Sequence, residues 1–212
     1  MLLLLFPLTL SAQIEKRHQL SASVSVGSNP ANRRFSGLRE DVAARYGWDL
    51  NDNEVTDLDL TTLLMVHFAY HYRLTTRWAV GAITGWGLGG CGYEKHGEEP
   101  PGGPDQEIVT VADGGFDNRL FYVTPSVRYQ WHQSHDGMVR WYSGLAAGVY
   151  RQHLHAHVSV PEGVPDTDHI RWGMAYHVTA LGFEMGTSGC MLFGEMGFGY
   201  QNTLALGVRC GI

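Results

Sequence analysis

Apolar and polar residues alternate with a period of two along most of this chain. Between Asp57 and Leu74 the even-numbered positions are mainly leucine, valine, phenylalanine and tyrosine, whereas the odd-numbered positions include aspartate, histidine and arginine. Because successive side chains of a β-strand point to opposite faces, this pattern predicts a strand with one apolar and one polar face. The strand predicted here is a long one.

The same alternation recurs along the chain, so the sequence predicts eight strands. They lie at about 18–26, 57–74, 78–89, 121–132, 139–150, 169–185, 190–198 and 202–212. Short turns are predicted near 75–77, 132–138 and 186–189, and long connections at about 28–56, 90–118 and 156–168. An even number of strands with short turns at one end and long loops at the other predicts an all-β fold, an antiparallel up-and-down transmembrane β-barrel.

Composition excludes several other classes of protein. Of the 212 residues 27 are glycine, 44% are apolar and only 17% are charged, which fits neither a disordered nor a collagen-like chain. The one long apolar run, residues 1–12, is shorter than the roughly 20 residues that a spanning helix needs. The formal net charge of -6 argues against a nucleic-acid binder, which would carry a basic patch.

The first twelve residues have the layout of an export signal. An apolar core is followed by Ser11 and Ala12, as in a secretory h-region with its cleavage site. We therefore expect residues 1–12 to be a signal peptide and residues 13–212 to be one outer-membrane β-barrel domain. A buried N-terminal strand is the alternative.

Alternation by itself does not say which face of the strands points inward. In a soluble lipocalin-like carrier the apolar rows would surround a ligand and the polar rows would meet water. Here the polar rows mix small residues, such as Gly81 and Gly148, with large charged ones, as a narrow lumen requires. Aromatic residues of the apolar rows lie toward both strand ends, like the two interfacial girdles of a membrane barrel. Both observations favour apolar rows that face lipid.

The last predicted strand completes a resemblance to a known family. Leu204, Leu206, Val208 and Ile212 alternate with small or polar residues. With this pattern the chain resembles, over about residues 13–212, the small eight-stranded outer-membrane β-barrel family of Gram-negative bacteria, which includes OmpX-like and OmpA-transmembrane-domain-like proteins. The family usually ends in an aromatic residue, whereas this chain ends in isoleucine. The resemblance implies an outer-membrane location and a structural or surface-interaction role, with lipid-modifying enzymes as a minority of members.

The polar rows predict a network of charged side chains inside the barrel. Glu195 falls in mid-strand among inward arginines, of which Arg128 is the best centred. A carboxylate left unpaired there would cost several kcal/mol, so we predict a salt-bridge network that plugs the lumen. Its predicted members are Glu195, Arg128, Arg140, Arg73, Arg171 and Arg209. Because eight strands leave room only for side chains, large solute flux is not expected; a proton or ion path is the alternative.

Three histidines form the one candidate metal set. His153, His155 and His157 recur at period two, which would place three imidazoles on one side of a strand, as zinc or copper could use. The run contains no cysteine or carboxylate, and Arg151 lies on the same row. The favoured interpretation therefore places these rings among lipid headgroups and water, with no metal and no cofactor.

Neither a catalytic nor a redox site is firmly indicated by the remaining residues. A lipid-modifying enzyme would need a nucleophile with a base in reach, but the hairpins predict Val127 and Ala180 beside Ser143, the obvious outward serine. We predict no catalytic residue. If the last turn is centred on Tyr200, Cys190 and Cys210 face each other; a cross-strand disulfide and two separate thiols both remain open.

The sequence thus predicts an exported, monomeric barrel with a structural or surface-recognition role. Its expected partners are outer-membrane lipid, lipopolysaccharide and an unidentified extracellular partner that contacts loops 28–56 and 91–118. The alternatives are a lipid A-modifying acyl hydrolase or transferase and a soluble lipocalin-like carrier.

Overall fold

Eight antiparallel strands close into a barrel in which each strand pairs with its neighbours in chain order and β1 also pairs with β8. The computed structural model describes residues 17–27, 64–98, 108–160, 167–187, 189–201 and 203–212. The predicted fold class is confirmed. The strands are β1 (His18–Val26), β2 (Leu64–Arg73), β3 (Trp78–Glu98), β4 (Ile108–Gln133), β5 (Val139–Val160), β6 (Thr167–Gly186), β7 (Cys190–Gly199) and β8 (Leu204–Gly211).

The apolar rows of the strands point outward. Phe68, Trp86, Leu145 and Leu206 are all more than half exposed on the outer face. An outer surface of this kind is stable only against lipid, so the polar rows line the lumen of a transmembrane barrel. The soluble carrier, which requires the opposite orientation, is excluded by this outer face.

Aromatic side chains border the apolar surface at both ends. Near the short turns, the rings of Trp78 and Tyr129 lie 4.7 Å apart and those of Trp131 and Trp141 lie 6.1 Å apart. Trp172 is exposed toward the other end. Among the described residues no helix is long and apolar enough to cross a membrane.

Four strands are longer than the sequence predicts. The predicted loop 91–118 is mostly a hairpin, because β3 and β4 remain paired as far as Glu98 and Ile108. The predicted connection 156–168 likewise shortens to 161–166. A ribbon beyond the bilayer has no lipid-facing side, so backbone pairing continues there without the alternation that marks the membrane-spanning part. The sheet β3–β6 therefore extends past the closed barrel.

A β-bulge in β6 determines which side chains of that strand enter the lumen. Ala180 is skipped in the pairing of β6 with both neighbouring strands. The outward row consequently changes from even numbers, such as Met174 and Tyr176, to odd numbers, such as Phe183 and Met185. The extra residue turns Glu184 inward.

Several predictions lie outside the described residues. They are the signal peptide 1–12, the first long connection 28–56 and the segment 57–63 of the second predicted strand. As described, that strand begins at Leu64.

Candidate functional site

A buried cluster of charged side chains occupies the lumen. Glu184, which is 2% exposed, accepts a hydrogen bond from Arg128 Nη1 at 3.1 Å and another from Arg209 Nη1. Its second oxygen lies 3.9 Å from Arg140 Nη1. One carboxylate thus faces three guanidinium groups contributed by strands β4, β5 and β8. We call Glu184, Glu195, Arg128, Arg140 and Arg209 the lumen network.

Glu195 is the second carboxylate of the lumen network. Its Oε1 accepts a hydrogen bond from the Tyr142 hydroxyl at 2.6 Å and lies 3.7 Å from Arg209 Nη2. The guanidinium of Arg209 also packs 4.4 Å from the centre of the Phe193 ring. Ion pairs and ring contacts together fill this part of the barrel.

Two of the predicted arginines lie away from this cluster. Arg73 is buried near the short-turn end, where it donates hydrogen bonds to Gln130 Oε1 at 2.8 Å and to the carbonyl of Thr76 at 2.9 Å. Arg171 is exposed, because β7 pairs with β6 only from His177 onward and the barrel is no longer closed at position 171. The prediction that placed Arg171 in a lumen network is therefore corrected.

The sequence prediction missed Glu184, the central carboxylate. Strict alternation from Met174 assigns Glu184 to the outer face, and only the bulge at Ala180 reverses that assignment. The signal that could have found it is the shift of the apolar row to Leu181, Phe183 and Met185.

A second polar group lies nearer the loop end of the lumen. His67 Nε2 lies 2.5 Å from Ser25 Oγ, and His67 Nδ1 lies 2.5 Å from the Tyr122 hydroxyl. A serine, a histidine and a third polar group in line would suit acyl transfer. Here all three side chains are at most 3% exposed, so a substrate does not reach the hydroxyl of Ser25. The arrangement satisfies buried polar groups and fixes the imidazole ring.

An apolar layer covers this polar group. It consists of Met65, Leu120, Tyr122, Tyr150, Ala175 and Tyr200. The rings of Tyr150 and Tyr200 stack at 4.7 Å. Large rings fit because glycine faces them: a Cβ on Gly85 would lie 2.4 Å from the Tyr122 ring, and one on Gly182 would lie 2.4 Å from the Tyr142 ring.

The space left in the middle of the lumen is small. A cavity of about 30 Å³ is bordered by His71, His177, Arg128 and Glu195 among others. It has room for about two water molecules. Over the residues that the structure describes, the lumen is filled.

Ser143 has a structural contact on the outer face. Its hydroxyl donates a hydrogen bond to the carbonyl of Ala180, the bulge residue, at 2.8 Å. Its partner across the β4–β5 ladder is Tyr129. Neither neighbour is a general base, so this serine is not activated as a nucleophile.

Two of the three candidate histidines share one carboxylate. Asp168 Oδ1 accepts hydrogen bonds from His153 Nε2 at 2.7 Å and from His155 Nδ1 at 3.0 Å. These hydrogen bonds lower the pKa of Asp168, and the one from His153 has the larger effect. Asp168 lies beyond the closed barrel. The side chain of His157 lies outside the described residues. In the described part of the chain no group of three or more potential ligands is arranged to hold a metal ion.

Comparison with known proteins gives a likeness of fold. No family model and no curated protein sequence matches the chain. The N-terminal β-barrel domain of Pseudomonas aeruginosa OprF is 11% identical, with 92% of this chain and 97% of that chain covered and a TM-score of 0.40. The closed eight-stranded antiparallel barrel of the chain itself agrees with the fold that the predicted resemblance implies.

Ail, the attachment invasion locus protein of Yersinia pestis, is similar to the chain in two structures. The complex of Ail with the heparin analogue sucrose octasulfate is 13% identical, covers 91% of this chain and 94% of that chain, and has a TM-score of 0.39. The other structure of Ail is 14% identical, covers 92% and 95% respectively, and has a TM-score of 0.38. These likenesses concern the fold alone.

Proposed function

We propose that the protein is an outer-membrane barrel with a structural and surface-recognition role, and that it is neither a pore nor an enzyme. The observation that carries this proposal is the filled lumen, in which Glu184 and three arginines fill one part and the apolar layer fills another. Because the lumen is filled, the functional surfaces of the protein lie on the outside of the barrel.

The outer surface supports lipid and lipopolysaccharide as partners. Arg119 and Arg151 are exposed on the outward rows at the loop end, where the lipid-facing residues give way to charged ones. The Arg151 guanidinium lies 6.0 Å from the centre of the Trp172 ring. A cation at the level of an interfacial tryptophan is well placed for a headgroup phosphate. Export through residues 1–12 is part of this proposal.

The sheet β3–β6 is the proposed recognition surface. Among the described residues β2 pairs with β3 as far as Leu64 and Leu88, whereas β3 and β4 stay paired to Glu98 and Ile108. Residues 91–118 contain seven acidic residues and one lysine: Glu94, Glu98, Glu99, Asp105, Glu107, Asp113 and Asp117 against Lys95. An extracellular partner with a basic surface fits this charge.

Conductance and migration measurements test the barrel itself. Refolded protein should migrate differently on a gel before and after heating, and planar bilayers should show no stable conductance of porin size. Conductance steps of porin size would refute the filled lumen.

Lipid A from cells with and without the protein should be identical by mass spectrometry, and an altered acyl pattern would instead favour a lipid-modifying enzyme.

A shortened hairpin tests the recognition surface. Tyr93 pairs directly with Gly114, so residues 94–113 can be replaced by a two-residue Asn-Gly turn without changing the register below. The variant should keep its heat-modifiable migration but lose binding to a polylysine-coated surface. Unchanged binding by the shortened protein would refute the assignment of this sheet.

A further inference from the structure

Two cysteines lie directly opposite each other on the last hairpin. Cys190 of β7 pairs with Cys210 of β8 in the register of the ladder. The thiol of Cys210 lies 3.2 Å from Cys190 Sγ, and both side chains are exposed on the outer face. The two sulfurs therefore touch without any rearrangement of the strands.

The ladder around this pair is the kind that accommodates a cross-strand bond. The amide of Gly211 donates a hydrogen bond to the carbonyl of Gly189 at 3.1 Å, so 189 and 211 form a hydrogen-bonded pair. The next pair, 190 and 210, is then a non-hydrogen-bonded pair, in which Cα atoms are about 4.5 Å apart. This separation lies within the range that a disulfide bridges, so rotation about the side-chain bonds suffices to join the sulfurs.

The position of the pair makes it accessible from the short-turn side of the membrane. Cys190 follows the 187–189 turn directly, and Cys210 lies two residues before Ile212. Cys91, the third cysteine of the sequence, is in the part of β3 that pairs with Phe116 beyond the opposite end of the closed barrel. Intramolecular pairing with Cys91 is therefore excluded in the folded barrel.

We propose that Cys190 and Cys210 form an intramolecular disulfide that ties β8 to β7. The two thiols lose two protons and two electrons as one S–S bond forms, and the disulfide of a periplasmic thiol oxidoreductase accepts them and becomes a dithiol. This step in the cell rests on the export proposed above. Because β8 also pairs with β1 to close the barrel, the bond fixes the closing strand to its hairpin and restricts the unfolded chain.

Purified protein tests the geometry independently of its location. The barrel is refolded in detergent micelles, equilibrated with glutathione and glutathione disulfide, alkylated, digested without reduction and analysed by mass spectrometry. We expect a linked peptide pair joining Cys190 and Cys210, unchanged in the Cys91→Ser variant. Alkylation of both thiols throughout a range of redox buffers that oxidises a free dithiol would overturn the proposal.

A displaced thiol provides the matched control. The double variant Cys190→Ser with Leu192→Cys moves the thiol one lipid-facing position along β7, so that it lies diagonally from Cys210. Cβ atoms in diagonal positions are about 7 Å apart, too far for an unstrained bridge. We expect at least about tenfold less disulfide than in the parent protein under the same buffer. Equal yields would overturn the geometric argument.

Membranes from cells with and without a functional disulfide oxidant separate this inference from the proposed location. We expect the linked peptide in outer membranes of the first strain and alkylated thiols in the second. Outer-membrane protein whose thiols are alkylated in both strains would overturn the disulfide and leave the proposed function intact. Absence from the outer membrane, together with linkage in micelles, would overturn the location and support the geometry of the pair.

Discussion

Replacing Glu184 with glutamine removes one charge from the lumen network and almost no volume. The parent carboxylate is 2% exposed and lies 3.1 Å from Arg128 and 3.9 Å from Arg140, with Arg209 also in contact. In the variant three guanidinium groups face a neutral amide that competes with them as a donor. The resulting destabilisation is therefore a direct measure of how strongly this carboxylate holds the lumen together.

The size of the effect follows from these distances. Two unit charges about 4 Å apart attract each other by about 4 kcal/mol at an effective dielectric constant of about 20. Repulsion among the arginines and the cost of desolvating the carboxylate oppose this attraction. Removal of one partner from a buried ion pair costs about 3–5 kcal/mol. We expect Glu184→Gln to lower the free energy of unfolding by about 4 kcal/mol, in the middle of that range.

Glu195→Gln is the matched control. Glu195 lies 3.7 Å from the Arg209 guanidinium group, and a glutamine there still accepts the hydrogen bond of the Tyr142 hydroxyl. We expect this variant to lose about 1–2 kcal/mol. Urea unfolding of the refolded barrels, followed by fluorescence of the six tryptophans, gives both values. A loss below about 1 kcal/mol for Glu184→Gln, or a larger loss for Glu195→Gln, would refute the central role of Glu184.

The bilayer explains why so much of the barrel could be predicted from sequence. Lipid requires apolar residues on one face of each spanning strand, and the lumen tolerates polar ones on the other. Phe68 and Leu145, predicted to face lipid, are more than half exposed on the outer face for this reason. Strand number follows from the alternation, and the orientation of the strands follows from the composition of the two alternating rows.

Beyond the bilayer this requirement disappears, and so does the signal. Residues 90–98 of β3 contain three glycines together with charged residues, a composition typical of loops. They nevertheless pair with β4 as far as Glu98, because ladder hydrogen bonds depend on the backbone and not on apolar alternation. The boundary between strand and loop could not be predicted there.

Contacts inside the lumen depend on how the strands are staggered around the barrel. Ser25, His67 and Tyr122 belong to β1, β2 and β4, and Ser25 pairs with Met65, not with His67. The Ser25–His67 hydrogen bond connects diagonal positions of neighbouring strands, and the His67–Tyr122 hydrogen bond passes over Gly85 of β3, with which both residues pair. Sequence separation does not reveal either contact. Glu184 adds a second difficulty, since the single extra residue Ala180 reverses the direction of the side chains that follow it in β6.

Two further predictions concern the fit of the lumen and the loop-end carboxylate. Gly85→Ala should lower the free energy of unfolding by about 1–3 kcal/mol, because the new Cβ would lie 2.4 Å from the Tyr122 ring, whereas the Gly144→Ala control, with its nearest atoms at 3.4 Å, should change it little. Equal losses in the free energy of unfolding, measured in urea, would show that contact with the Tyr122 ring does not determine whether alanine is tolerated at these positions. The Asp168 carboxyl should titrate below its ordinary pKa in an NMR titration of the micelle-bound protein, because two imidazoles donate hydrogen bonds to it. A carboxyl whose pKa is lowered on folding stabilises the folded state above its ordinary pKa and loses that contribution as the pH falls through the lowered value. The pH dependence of unfolding in acid should therefore be weaker in Asp168→Asn, and identical profiles for the two proteins would exclude these hydrogen bonds as a source of stability.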